Sequence, residues 1–149
     1  MINFKELIDN KGDDSLELHA KILTYGGIIP FAATAIASLG AYDFIFEFKI
    51  YAALIIAFLG GINWAFGMKQ RNKNILYFSV LPSIAVWFLV IIPYDVVSLC
   101  LIAVLFLWQL FFDYSLYKAD IYQRCFFKLR RNATFAVIAS IILAVFAAL

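Results

Sequence analysis

The stretch from Ile50 to Met68 reads IYAALIIAFLGGINWAFGM and carries no charge. A helix rising 1.5 Å per residue needs about 20 residues to cross the hydrocarbon of a bilayer. No water is available there for exposed backbone groups, so such a run is a helix. Four further runs without a charged residue or histidine lie at 22–41, 75–94, 96–112 and 133–149. The last two are near the short end of what spans a membrane. None alternates polar and apolar residues as barrel strands do. The sequence therefore predicts an all-α, polytopic membrane helix bundle with five transmembrane helices, covering 22–149, behind a cytoplasmic N-terminal segment at 1–21.

Composition agrees. Apolar residues make up 65% of the chain and charged residues 15%, with a mean hydropathy of +0.91. Soluble domains run at about 45–50% and 25%, and 149 residues enclose too little interior to hide the excess. An ordinary cytosolic enzyme, a disordered chain and a nucleic-acid-binding domain are excluded, and nucleic acid with them as a partner.

Basic residues set the expected topology. Lys69, Arg71 and Lys73 lie between spans two and three; Lys118, Arg124, Lys128, Arg130 and Arg131 lie between spans four and five. With Lys5, Lys11 and Lys21 before span one, all but Lys49 of the twelve basic residues fall on one side. The positive-inside rule then puts the N-terminus in and the C-terminus out, and the expected location is a bacterial inner membrane. No cleavable signal is visible, so span one reads as an uncleaved anchor. Cys100 lies in a span and Cys125 in a cytoplasmic loop, so no disulfide is expected.

Between Asp113 and Asn132 apolar residues recur at Tyr114, Tyr117, Ile121, Tyr122, Cys125, Phe126 and Leu129, with Lys118, Arg124, Lys128 and Arg131 largely between them. This spacing predicts an amphipathic interfacial helix between spans four and five, held by anionic lipid or offered to an acidic partner surface. Tyr42, Phe44, Phe46, Phe48 and Tyr51 read as an aromatic belt at the outer headgroups. In the turn Pro93-Tyr94-Asp95 the proline stops one helix and Asp95 caps the next. Small residues recur every fourth position at Ala33, Ala37 and Ala41, at Ala53, Ala57, Gly61 and Ala65, and at Ala136, Ser140, Ala144 and Ala148. Such ridges let helices approach closely, which predicts that spans one, two and five form the tight core.

Polar side chains within hydrocarbon are functional suspects. Asn63 with Trp64, Ser79 with Ser83, and Gln109 with Asp113 fall in the cytoplasmic half of their spans, joined by Thr134. Pro30 and Pro82 each free a carbonyl four residues earlier, at Gly26 and Phe78. Two readings stay open: a polar binding pocket facing the cytoplasm, or a hydrogen-bond network that fixes helix register. No catalytic residue, metal-ligand set or cofactor motif is expected. One histidine and no Cys-x-x-Cys leave little for metal chemistry, and no phosphate loop or nucleophile elbow occurs.

Gly26-Gly-Ile-Ile-Pro-Phe31, the segment from Tyr51 to Trp64, Leu81-Pro-Ser-Ile-Ala-Val-Trp87, the pair Gln109 and Asp113, and Leu129-Arg-Arg-Asn-Ala-Thr134 together resemble the DUF3429 family of proteins of unknown function. The resemblance runs from about residue 22 to the end and implies a small multi-pass inner-membrane protein. Where the family has His before the tryptophan, this chain has Asn63, and where it has Gly after it, Ala65. The resemblance therefore carries over a hydrogen-bonding role at position 63 but no imidazole chemistry.

The expected function is interaction and assembly with another membrane protein, or binding of a lipophilic ligand. Beyond the bilayer itself, the expected partners are an anionic lipid or a quinone. The alternatives are a small transporter or channel and, with Asp113 beside Arg130 or Arg131, a lipid-modifying enzyme.

Overall fold

The computed structural model describes residues 14–40 and 43–149. Expectations for residues 1–13, and for Ala41 and Tyr42, lie outside these. The chain folds as α1 (Asp14–Gly26), α2 (Ile29–Ser38), α3 (Ile45–Gln70), α4 (Lys73–Ile91), α5 (Asp95–Lys118) and α6 (Arg124–Ala148), with no strand among the described residues. Five spans are long and apolar enough to cross a membrane: Glu17–Ser38, Ile45–Gln70, Lys73–Ile91, Asp95–Lys118 and Arg124–Ala148. The protein is a multi-pass membrane protein. The last two spans are 24 and 25 residues long rather than short, because each helix continues past the apolar run into its charged flank.

Span one is two helices. Gly27 and Ile28 separate α1 from α2, and Pro30, which lacks an N–H, sits in the first turn of α2. The carbonyl served at this break is that of Gly27, not Gly26: the Tyr51 hydroxyl donates to it at 2.9 Å. Tyr51 thus leaves the expected aromatic belt. It turns inward against Phe31, which also meets Phe48 and Phe106 edge-on at centroid distances of 5.3 and 5.9 Å. Phe48 is buried as well.

The most extensive helix pair is α3 with α4, and α5 with α6 comes next. The expected core of spans one, two and five is corrected on this point. Ala57, Gly61 and Ala65 face outward. The close approach uses Gly60, where a Cβ would stand 2.4 Å from the Ser79 carbonyl oxygen, and Gly67, set against Leu76 and Ile75. One residue along a helix is about 100° of rotation, so the ladder through Gly61 and the seam through Gly60 are different faces. The α3–α4 turn is closed by Arg71 in the left-handed region (φ 52°) and by Asn72, whose side chain accepts from the Asn74 N–H at 3.0 Å. Span five does use its small residues: Ser140 and Ala144 are buried, and α6 packs on α2 as well as α5.

The expected interfacial helix is absent. Asp113 to Lys118 extend α5, Ala119 to Gln123 form a turn, and Arg124 starts α6. Of the apolar positions expected to face the bilayer, Tyr122 is buried with Leu116 and Ile75 in a small cluster flanked by Phe66, Tyr117, Ile121 and Phe126, while Tyr114 and Cys125 are exposed. A helical period within one segment cannot distinguish a partner from a membrane as the cover for its apolar face.

Helix directions alternate, so the turns carrying Lys69, Arg71 and Lys73 and carrying Lys118 and Arg124 share one end of the bundle, here the basic end. At the opposite end Lys49 is a buried part of α3 rather than a loop residue. Its ammonium donates to the Ile92 carbonyl at 2.8 Å and to Asp95 Oδ1 at 3.1 Å. A cation at the C-terminus of α4 meets the negative end of the helix dipole and an orphan carbonyl together. Asp95 therefore answers Lys49 instead of capping α5 through its side chain.

Candidate functional site

Toward the basic end, α3, α5, α6 and the turn before α6 each contribute one side chain to a closed network. Asp113, on the buried face of α5, is 1% exposed. Its Oδ2 accepts from Arg130 Nε at 3.0 Å and from Arg130 Nη2 at 2.6 Å. Its Oδ1 accepts from Asn63 Nδ2 at 3.2 Å. The Asn63 carbonyl oxygen in turn accepts from the Tyr122 hydroxyl. Four groups from four segments satisfy one another, as buried polar groups must in a medium without water. Burial pushes the Tyr122 hydroxyl above its ordinary range, with the Asp113 charge acting in the same direction, so it remains a neutral donor.

One turn earlier on α5, Gln109 donates from Nε2 to the Ile56 carbonyl at 3.0 Å, while its Oε1 is buried with no partner among the described residues. Ser79 and Ser83 do not join the network. Ser79 bonds its own helix at the Leu76 carbonyl (2.7 Å), and both serines lie in the α3–α4 seam beside Gly60. Trp64 is 47% exposed and points away from it. Of the expected polar cluster, Asn63 and Asp113 meet directly and Gln109 lies adjacent. Of the basic group, Arg130 belongs to the buried site. Lys118, Arg124, Lys128 and Arg131 are exposed, Lys118 lying 5.0 Å from the centroid of the Tyr114 ring.

Tyr122 is the residue that sequence reading missed. It stood among the apolar positions of an expected surface helix, and nothing local marks it for Asn63, 59 residues away. Arg130 and Thr134 offered a better signal. They are four apart, which on a helix is the same face.

That face opens onto a crevice of about 160 Å³ between the broken first span, α3 and α6. Its walls are mostly apolar, including Phe31, Ile55, Leu59, Ile62 and Val137. Leu23 and Phe58 line it and are exposed on the outside of the bundle, so the crevice opens sideways, toward lipid. Among the described residues Arg130 is the only charged one lining it, and Thr24 and Thr134 bring hydroxyl groups. Asp113 and Asn63 do not line it. The carboxylate is therefore sequestered behind Arg130, which alone of the network reaches the cavity. Among the described residues no group of three or more His, Cys, Asp or Glu is placed to hold a metal ion.

A family model described as "Protein of unknown function (DUF3429)" matches residues 16–146 of the chain. No curated protein and no solved structure matches it.

Proposed function

The chain belongs to the DUF3429 family, and on that premise we propose that it binds an amphipathic, lipid-soluble molecule that enters sideways from the bilayer. The observation that carries this reading is the lateral crevice, apolar along its walls and bearing Arg130 at one place. A cavity serving only packing has no need of a guanidinium in its lining, because an exposed cation in hydrocarbon is costly. The pairing with Asp113 offsets that cost and fixes the orientation of the side chain.

In this reading the basic end faces the cytoplasm and the membrane is a bacterial inner membrane, following the distribution of Lys and Arg. Arg124, Lys128 and Arg131 then lie at the level of anionic headgroups. The alternative of a small transporter has less in its favour, since Asn63, Asp113, Arg130 and Tyr122 are bonded to one another rather than arranged along a path. An assembly role is compatible with the same crevice if the bound lipophile is shared with a partner.

Extraction in a mild detergent followed by mass spectrometry of the intact protein tests the proposal. A small lipophile retained by the native chain and lost from an Ala133→Phe variant, whose new ring would enter the crevice, supports it. An identical set of bound lipids in both refutes it. For orientation, a Cys100→Ser variant leaves exposed Cys125 near the basic end. A membrane-impermeant maleimide is expected to label it only after the cells are permeabilised.

A further inference from the structure

The crevice carries more information than its shape. Three features of its polar side define what can sit there. The first is charge. Arg130 is the one charged lining residue among those described, and its charge is already neutralised by Asp113 through two hydrogen bonds to a single oxygen. The buried pair sums to zero. An anionic headgroup in the crevice would bring a charge with no counter-ion lining it, and an uncompensated charge in a low-dielectric site is strongly disfavoured. The cations Lys21, Arg124 and Lys128 line a surface groove that adjoins the crevice at Leu129 and do not line the crevice itself.

The second feature is hydrogen-bonding sense. Asp113 uses Nε and one N–H of Nη2, which leaves the Arg130 guanidinium three further donors. The hydroxyls of Thr24 and Thr134 have no partner among the described residues, and Thr134 is 6% exposed. The Gly27 carbonyl, the backbone acceptor that the break in span one leaves at the crevice wall, is taken by Tyr51. Arg130 can only donate and the two hydroxyls can donate too, so an acceptor-bearing ligand is served by all three groups.

The third is size. A cavity of about 150 Å³ holds one benzene-sized ring, and this one is about 160 Å³. Arg130 and Thr134 stand one turn apart on α6, roughly 6 Å between their Cβ atoms. Both side chains therefore stand on the crevice side of α6, where carbonyl oxygens on one ring can be offered a donor from each. A hydrocarbon tail leaves past Leu23 and Phe58 into the bilayer.

We infer that the ligand is an uncharged six-membered ring bearing carbonyl oxygens on a lipid-soluble tail, the chemical class of the quinones, and not an anionic lipid. This rests on the proposed lateral binding site and adds the class of molecule it accepts.

The test uses the full-length protein in nanodiscs of uncharged phosphatidylcholine, with decylbenzoquinone as the uncharged probe and oleate as the anionic one. Binding of each is measured by calorimetry to the native chain, to Ala133→Phe and to the near-isosteric Thr134→Val. Size-exclusion profiles identical to that of the native chain show that the variants are folded. The inference expects decylbenzoquinone to bind the native chain, to bind Thr134→Val about tenfold more weakly and to be lost from Ala133→Phe. It expects oleate not to compete. If oleate binds at least as well and is lost from Ala133→Phe, the site stands and the inferred class is wrong. If neither probe binds, or if Ala133→Phe binds both as the native chain does, the site itself is refuted and the inference with it. Should Ala133→Phe fail to fold, unchanged decylbenzoquinone binding to Thr134→Val overturns the inferred role of the donors.

Discussion

Arg130 on α6 places both Nε and Nη2 on the same oxygen of Asp113 on α5, at 3.0 and 2.6 Å, leaving the other carboxylate oxygen to Asn63 on α3. Three helices are thereby tied by one buried carboxylate. The pair is costly to break and cheap to replace, because desolvation has already consumed much of the Coulombic attraction.

Replacing one partner alone is expected to be severe. Asp113→Leu and Arg130→Met should each lower stability by about 3–5 kcal/mol, since each strands a buried charge. The double variant should recover much of that loss. Unfolding of all four proteins in one detergent, read as a double-mutant cycle, checks this; additive losses would show that the two side chains are not coupled.

Tyr122→Phe removes one donor from Asn63 and should cost roughly 1–2 kcal/mol. The hydroxyl has a raised pKa in the folded protein, so folding favours its neutral form. Its contribution is fully present below the unfolded value of about 10 and declines as pH rises beyond it. The stability difference between native chain and variant should be constant from about pH 6 to 9 and shrink above pH 10.

Gly60→Ala and Gly61→Ala form a matched pair. A Cβ at position 60 would lie 2.4 Å from the Ser79 carbonyl oxygen, whereas at position 61 it meets nothing within 4 Å. The first should destabilise by about 1–3 kcal/mol, as overpacking against backbone does. The second should be neutral or slightly stabilising through reduced chain entropy. Equal melting temperatures for the two would contradict the assigned α3–α4 seam.

Lys49→Met leaves the Ile92 carbonyl and Asp95 without their donor. A loss of about 1–3 kcal/mol is expected. Asp95→Asn should cost less, because the amide oxygen still accepts from the buried Lys49 ammonium, which also keeps the Ile92 carbonyl. The order of the two losses in thermal unfolding is the check.

The five spans were legible because bilayer thickness imposes a length and a composition on any crossing segment. Pro30 was visible as an interruption of span one, and Asn63, Gln109 and Asp113 as polar side chains in apolar runs at one level, but their pairing was not. What could not be read was rotation. The choice between Gly60 and Gly61 as the seam is a matter of one residue, and both faces carry small side chains. The turn from Ala119 to Gln123 was hidden because Tyr114, Tyr117, Ile121, Cys125 and Phe126 keep a helical spacing across it, while Tyr122 is covered by Ile75 and Phe66, which lie far away in sequence. Lys49 was misplaced because a charge counted against the span until a carbonyl and a carboxylate were found to receive it.

The proposed binding site in the crevice between the broken first span, α3 and α6 can be seen or found missing in a crystal structure of the native chain grown from a lipidic phase supplemented with decylbenzoquinone. Ring-sized density is expected against Arg130 and Thr134, with a tail leaving between Leu23 and Phe58. A crevice filled by its own side chains, with Arg130 still on Asp113 and no density beside it, would overturn the site.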